Sequence, residues 1–245
     1  MTGKKRLDVL LTERGLADTR SRAQALVMAG KVSVDGAVIS KAGTAVGEDA
    51  HIRLAEPDHP YVSRGALKLA AALDAFDIRL EGVDCLDVGA STGGFTDLLL
   101  ERGAGRVIAL DVGRGQLDWR LRNDQRVVVM EGVNARHLKV DDLPFEVALV
   151  TVDVSFISLR LVVPAVLPHL VPGGTLVCLV KPQFEAGRDQ VGSGGVVRDE
   201  TIRRRVIDDT VAALAELDLE LVGITPSPIR GPKGNLEELA VFLKQ

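Results

Sequence analysis

Three stretches of the chain carry an apolar run into a residue able to do chemistry. VALVTVDVSF ends its run on Asp153, TLVCLVKPQFE ends on Lys181, and VDCLDVGASTGGFTDLLLERG carries Asp87 into a glycine-rich turn. A lysine following five apolar residues is costly to bury unless it is paired or neutral. Asp153 is its natural partner. Residues of these types at the ends of neighbouring strands could hold and deprotonate a polar substrate at the edge of a sheet.

The turn after Asp87 specifies what kind of ligand it suits. Gly89, Gly93 and Gly94 follow a G-x-x-x-G-G spacing, not the G-x-G-x-x-G of a dinucleotide site. A carboxylate just before the turn would repel a pyrophosphate but suits the positively charged methionine end of S-adenosylmethionine. Gly89, Ala90, Ser91 and Gly93 are small enough for the backbone to approach a ligand closely, and Thr92, Gly94 and Phe95 complete the expected contact surface. The next apolar run, RVIALDV, ends on Asp111, where a carboxylate can accept two ribose hydroxyls, with Val112 beside it. Asn134, after the third run, could bind adenine through its amide. The plainer alternative makes Asp87 and Asp111 helix caps, but both fall at the carboxyl edge, where open α/β sheets bind ligands.

The elements that must position these residues are legible as alternating apolar strands and amphipathic helices from residue 63 onward. Strands are expected at 83–89, 106–111, 127–132, 147–152, 175–180, 220–226 and 238–243. The last two are joined by the Pro/Gly-rich loop 226–235 and read as an antiparallel pair. The fold class is therefore α/β: a Rossmann-like, seven-stranded, mostly parallel sheet with an antiparallel edge. Residues 1–54 read separately, as a small α+β domain. It has two short helices, a stop at Gly30, a hairpin turning at Asp35–Gly36 and a third strand at 50–54. Residues 55–62, with two prolines and no periodicity, form the linker, and 63–245 form the larger domain.

Composition narrows the class. The chain has 245 residues, 46% of them hydrophobic and 26% charged, a globular profile. Cys85 and Cys178 each sit inside an apolar run, which favours buried thiols in a reducing compartment over a disulfide or a metal site. No metal is expected. The start, MTGKKRLDVLLTERG, is too interrupted for a secretory signal, and the apolar stretch 159–180 is broken by three prolines and a Gly-Gly pair. A cytoplasmic protein without a membrane partner is expected. The net charge is −4, yet residues 1–31 hold seven basic side chains against three acidic ones. An acidic protein with a basic front end suggests a local grip on a polyanion.

Two resemblances follow from these motifs. RLDVLLTERGLADTRSRAQALVMAGKVSVDG resembles the S-four RNA-binding domain found in a ribosomal small-subunit protein and in pseudouridine synthases. It implies RNA contact through Lys4, Lys5, Arg6, Arg20, Arg22 and Lys31, with Arg64 added at the start of the second domain. SRGALKL, LDVGASTGGFT, VDVSFISL, VKPQFE and GPKGNLEE, in that order, resemble the TlyA/haemolysin A family, whose catalytic domain is similar to FtsJ-type enzymes. That resemblance implies S-adenosylmethionine-dependent 2′-O-methylation of ribosomal RNA. The implied target is cytidine in the large subunit and, in some members, the small subunit. It also implies a Lys–Asp–Lys–Glu tetrad at Lys68, Asp153, Lys181 and Glu237. Lys181 is expected to act as base, Lys68 to ease its deprotonation, and the two carboxylates to orient the ammonium groups. Two other readings compete: a membrane-active haemolysin, tested by red-cell lysis, and a non-catalytic RNA-binding module, tested by cofactor calorimetry. Trp119 and Arg120–Arg122 could stack on or pair with RNA, although a lone Trp on a helix is more often packing. The glycine-rich loop QVGSGGVVRD, with Arg188, Arg198 and Arg203–Arg205 nearby, reads equally as an RNA-side loop or an ordinary surface loop.

Overall fold

The computed structural model describes residues 3–17, 19–28, 30–54, 59–231 and 233–245, and the chain divides between Pro60 and Tyr61 into two compact units. Residues 55–58 of the expected linker lie outside the described residues.

The first unit contains β1 (Lys4–Arg6), α1 (Leu7–Glu13), α2 (Arg20–Met28), β2 (Val32–Val34), β3 (Ala37–Val38), β4 (Ala45–Gly47) and β5 (Ile52–Leu54). The hairpin is where Asp35–Gly36 places it. Both residues take positive φ, 50° and 86°, as a two-residue turn joining right-twisted strands requires. β5 pairs on the other side of β2, so the sheet order is β3-β2-β5. Two elements have no counterpart in the expected pattern: Lys4–Arg6 and Ala45–Gly47 are strands, antiparallel to one another. Leu7, Leu10 and Leu11 of α1 pack with Ala23 and Val27 of α2 and with Val32, Val34 and Val46 from the strands.

The second unit contains α3 (Gly65–Ala75), β6 (Asp84–Val88), α4 (Gly94–Glu101), β7 (Arg106–Asp111), α5 (Trp119–Arg122), β8 (Val127–Glu131), β9 (Val147–Val152), α6 (Leu159–Val166), β10 (Leu170–Val180), α7 (Pro182–Glu185), α8 (Glu200–Ala215), β11 (Leu219–Pro226) and β12 (Glu238–Lys244). The seven strands lie in the order β11-β12-β10-β9-β6-β7-β8. β12 runs antiparallel between β10 and β11, while β10, β9, β6, β7 and β8 are mutually parallel. The sheet thus reverses its winding between β6 and β9, which is where ligands bind in open α/β sheets.

Alternate residues of each strand enter opposite cores. Leu86, Ile108, Val150, Cys178 and Phe242 pack beneath α6 and α8, whereas Cys85, Val107, Leu149, Leu179 and Leu239 pack beneath α3 and α4. The two cysteines are buried and free, on opposite faces of the sheet, and burial pushes the Cys85 thiol up to about 12. β10 starts earlier than its apolar run suggests, at Leu170, with an irregularity where Pro172, Gly173 and Gly174 interrupt the pairing. Among the described residues, no helix is long and apolar enough to cross a membrane, and no three His, Cys, Asp or Glu side chains gather as a metal site would need.

Candidate active site

The period of two along a strand assembles the site. Continuing the register of the residues under α3 and α4 brings Asp87, Asp153, Lys181 and Glu237 to the face that carries Lys68 on α3. The four ionisable groups of the expected tetrad form two ion pairs. Lys68 Nζ donates to Glu237 Oε2 at 2.6 Å, and Lys181 Nζ lies 2.5 Å from Asp153 Oδ1. The lysine side chains are 9% exposed and Glu237 is 1% exposed, so each ammonium is neutralised where water cannot do it. Gln183 Nε2 donates to Glu237 Oε1 at 3.3 Å from α7, which links the element following Lys181 to the Lys68 pair. Lys181 Nζ also donates to Ser155 Oγ at 3.0 Å.

Beside these pairs lies a cavity of about 140 Å³ lined by Ser63, Gly65, Gly89, Ala90, Ser91, Thr92, Gly94, Phe95 and Asp153. Two glycines here have no substitute. Gly89 has a φ of +85°, and a Cβ on it would collide with the carbonyl oxygen of Asp153; Gly93 has a φ of +97°, and its Cβ would meet Leu121. The turn is thereby wedged between the β9 loop and α5. A volume of about 140 Å³ is below the ~300–1,000 Å³ that encloses a whole cofactor-sized ligand. It has room for one end of such a ligand.

Asp87 is a correction. It was expected to face the donor's positive end, but it is fully buried below the turn and does not line the cavity. Its carboxylate accepts from Thr96 Oγ1 at 2.7 Å and from Thr151 Oγ1 at 3.1 Å, and burial pushes its pKa up to about 7 against those two hydrogen bonds. The cavity's carboxylate is that of Asp153. Asp111 accepts from the backbone N–H groups of Ser91 and Gly113, at 2.8 and 2.6 Å, so it shapes the turn, and each oxygen has a further lone pair able to accept. Val112 is 70% exposed. Asn134 caps the turn Ala135–His137 through its side-chain oxygen, which leaves the amide N–H₂ outward.

The expected RNA contacts divide. Lys4 is exposed and Lys31 partly so, whereas Lys5 is held between Glu13 at 2.9 Å and Glu48 at 3.8 Å. Arg6 and Arg20 converge on one buried carboxylate. Arg6 reaches Asp8 with two N–H groups, at 3.0 and 2.9 Å, and Arg20 reaches it with one at 3.1 Å, while both guanidinium side chains stay half exposed. The side chains of Arg22 and Arg188 lie outside the described residues. Arg64 is exposed one turn ahead of Lys68. Arg203 and Arg204 pair with Glu238 and with acidic neighbours on α8 instead of standing free. Trp119 is not packing: it is 63% exposed.

Known proteins match both units. Residues 61–244 match the FtsJ-like methyltransferase family and residues 5–52 match the S4 domain. The chain is 48% identical, over 97% of its length and 89% of the relative's, to the Mycobacterium tuberculosis protein named 16S/23S rRNA (cytidine-2′-O)-methyltransferase TlyA. The chain belongs to the TlyA family of FtsJ-like methyltransferases. It is also 41% identical to Hemolysin A of Brachyspira hyodysenteriae, over 97% of this chain and 99% of that one. A solved Streptococcus thermophilus protein described as a hemolysin superposes with a TM-score of 0.77 at 43% identity, covering 100% of this chain and 90% of that one.

Several residues of this TlyA-family enzyme escaped sequence reasoning. Ser63 and Gly65 line the cavity, and Ser155 and Gln183 touch the tetrad. Glu131 accepts from Gln116 N, Leu117 N and Arg122 Nη2, the last at 2.6 Å, and so pins the loop that backs the turn. Ser63 and Gly65 belong to the quoted SRGALKL segment and could have been found there. The others pair with residues 9 to 54 positions away and had no local signal.

Proposed function

We propose that this chain methylates the 2′-oxygen of a ribose in ribosomal RNA, a cytidine as in the name of the Mycobacterium tuberculosis relative, with S-adenosylmethionine as donor. The observation carrying this reading is the pair of buried ion pairs beside a small cavity at the sheet's switch point. When bound, the donor supplies a methyl group on a sulfonium, electrophilic enough for a deprotonated hydroxyl. Gly89, Ala90, Ser91, Thr92, Gly93, Gly94 and Phe95 would hold its methionine end, and Asp111, Val112 and Asn134 its nucleoside. Asp87 braces that turn from below.

A ribose hydroxyl is a weak acid, so transfer needs its proton removed as the oxygen attacks. Lys181, once its ammonium has released a proton to solvent, would take the hydroxyl proton, with Asp153 and Ser155 directing the nitrogen. Lys68, fixed by Glu237, would place a second cation near the developing oxyanion. Orientation of acceptor against donor supplies much of the remaining rate. The S4 domain and Arg64 would bring the RNA strand to the site.

Lys181→Ala tests the assignment. It is expected to bind donor and RNA as the wild type does and to lose about 10²–10⁴-fold in transfer rate. Near wild-type methylation of rRNA by a folded Lys181→Ala protein removes the base from this mechanism. Mapping of 2′-O-methyl sites on both ribosomal subunits, with and without the gene, identifies the nucleotide.

A further inference from the structure

Glu185 is a largely buried carboxylate that the mechanism above does not use. It ends α7, four residues beyond Lys181. Its Oε2 accepts from Ser158 Oγ at 2.6 Å and its Oε1 from the backbone N–H of Leu159 at 2.8 Å. Both donors belong to the start of α6, at the far end of the loop that begins with Asp153. Ser158 caps the same helix by accepting from Arg160 N at 3.2 Å, so Glu185 extends a cap into a tie between two catalytic loops.

The loop being tied needs restraint. Between Asp153 and Ser158 the chain passes through Phe156 with a φ of +66°, a left-handed conformation that is strained for a non-glycine residue. The Phe156 side chain is 89% exposed, and its ring touches Phe184 with centroids 5.1 Å apart. The loop is therefore fastened to the β10–α7 segment at three places: Asp153 and Ser155 on Lys181, Phe156 on Phe184, and Ser158 with Leu159 on Glu185. α7 is a single turn with Pro182 at its first position, a stiff spacer between Lys181 and Glu185.

We infer that Glu185 is a positioning residue for methyl transfer: it holds the strained Asp153–Ser158 loop so that Asp153 and Ser155 stay on the Lys181 amine. The inference rests on the proposed reaction. Burial raises the Glu185 pKa while the Ser158 and Leu159 hydrogen bonds oppose that rise, as expected of a carboxylate retained in the interior for what it binds.

The test compares Glu185→Ala, Glu185→Gln and Ser158→Ala with wild type and Lys181→Ala. It is run on the full chain well below the melting temperature. Glu185→Ala should lower kcat at saturating RNA and donor by about 10- to 100-fold, the scale of a misplacement near 1 Å. Its donor Kd and RNA KM should remain within about threefold of wild type. Glu185→Gln keeps an acceptor for Leu159 N, and the Ser158 hydroxyl can turn to accept from the amide, so kcat should recover to within about threefold. Reductive methylation of Lys181, followed by mass spectrometry, should be faster in Glu185→Ala, because the amine loses its two oxygen partners. Should Glu185→Ala not fold, Ser158→Ala carries the test, with a kcat loss of at least about threefold expected. A folded Glu185→Ala, or failing that Ser158→Ala, with wild-type kcat overturns the inference. If instead Lys181→Ala is fully active, it is the assignment of the base that fails; the lysine labelling still reports whether Glu185 positions that side chain.

Discussion

At the scale of single residues, the Lys68–Glu237 pair is costly to break and cheap to replace as a whole. Both side chains are almost fully excluded from water, so removing one partner strands the other's charge. Glu237→Ala is expected to destabilise the larger unit by about 3–5 kcal/mol. Joining Lys68→Met to Glu237→Leu should restore most of that stability while methyl transfer stays lost. Denaturant melts of Lys68→Met, Glu237→Leu and the double variant measure it, and additive losses would show that the pair is not coupled. The Lys181–Asp153 pairing was legible because apolar runs end on both residues, whereas Lys68 and Glu237 came only from the ordered motifs. Asp87 was misread because a strand-end carboxylate can turn outward to a ligand or inward to the protein. Its inward turn is decided by Thr151, its neighbour across the sheet, and by Thr96 on the next helix, neither of which a local pattern exposes. The same holds for Ser155, Gln183 and Glu185, whose roles arise only once β9, β10 and β12 are adjacent.

At the scale of elements, the parallel strands were readable because both faces of each are covered, fully in the interior of the sheet and partly at the edge strand β8, which favours apolar residues throughout. The signal failed where burial does not set the composition. β1 is Lys-Lys-Arg, a short strand with two of its three side chains exposed, and β10 begins across Pro172 and two glycines. The loop between β7 and α5 shows a related effect. Its shape depends on Glu131 at the end of β8, whose carboxylate is held down to about 2, chiefly by Arg122 and then by backbone N–H groups of the loop. A pKa lower in the folded chain than its ordinary 4.5 means that this support is complete above about pH 4.5 and is withdrawn as the pH falls toward 2. Donor affinity should therefore not change through Glu131 between about pH 5 and 8. Glu131→Gln at neutral pH should weaken it several-fold by releasing the loop that backs Gly93. Calorimetric titration with S-adenosylmethionine checks both, and unchanged affinity in a folded Glu131→Gln protein would detach this loop from the donor site.

At the scale of the whole molecule, the division of labour is one of charge. The acidic chain concentrates seven basic residues in its first 31 positions, but in the fold they are not equivalent. Lys5 is neutralised by Glu13 and Glu48, while Arg6 and Arg20 are splayed from the buried Asp8, which also accepts from Gln24 at 2.9 Å. Counted as an opposing charge in the sequence, Asp8 is in the fold a mount that fixes two half-exposed guanidinium groups without covering them. Arg6→Ala with Arg20→Ala should thus weaken rRNA binding more than Lys5→Ala does. Asp8→Asn should mimic part of that loss by freeing both arginines. Removing residues 1–60 should leave donor binding intact, since the expected donor contacts lie beyond Tyr61 in a unit with its own two cores. RNA affinity should then fall sharply, and the salt dependence of log K should flatten by roughly 0.7–0.9 for each phosphate the shortened protein no longer neutralises. Binding isotherms at several salt concentrations read both quantities. An undiminished kcat/KM on rRNA with the same salt slope would relieve the S4 domain of its role as the grip, and Arg64 would then be the first basic side chain to replace, standing one turn ahead of Lys68.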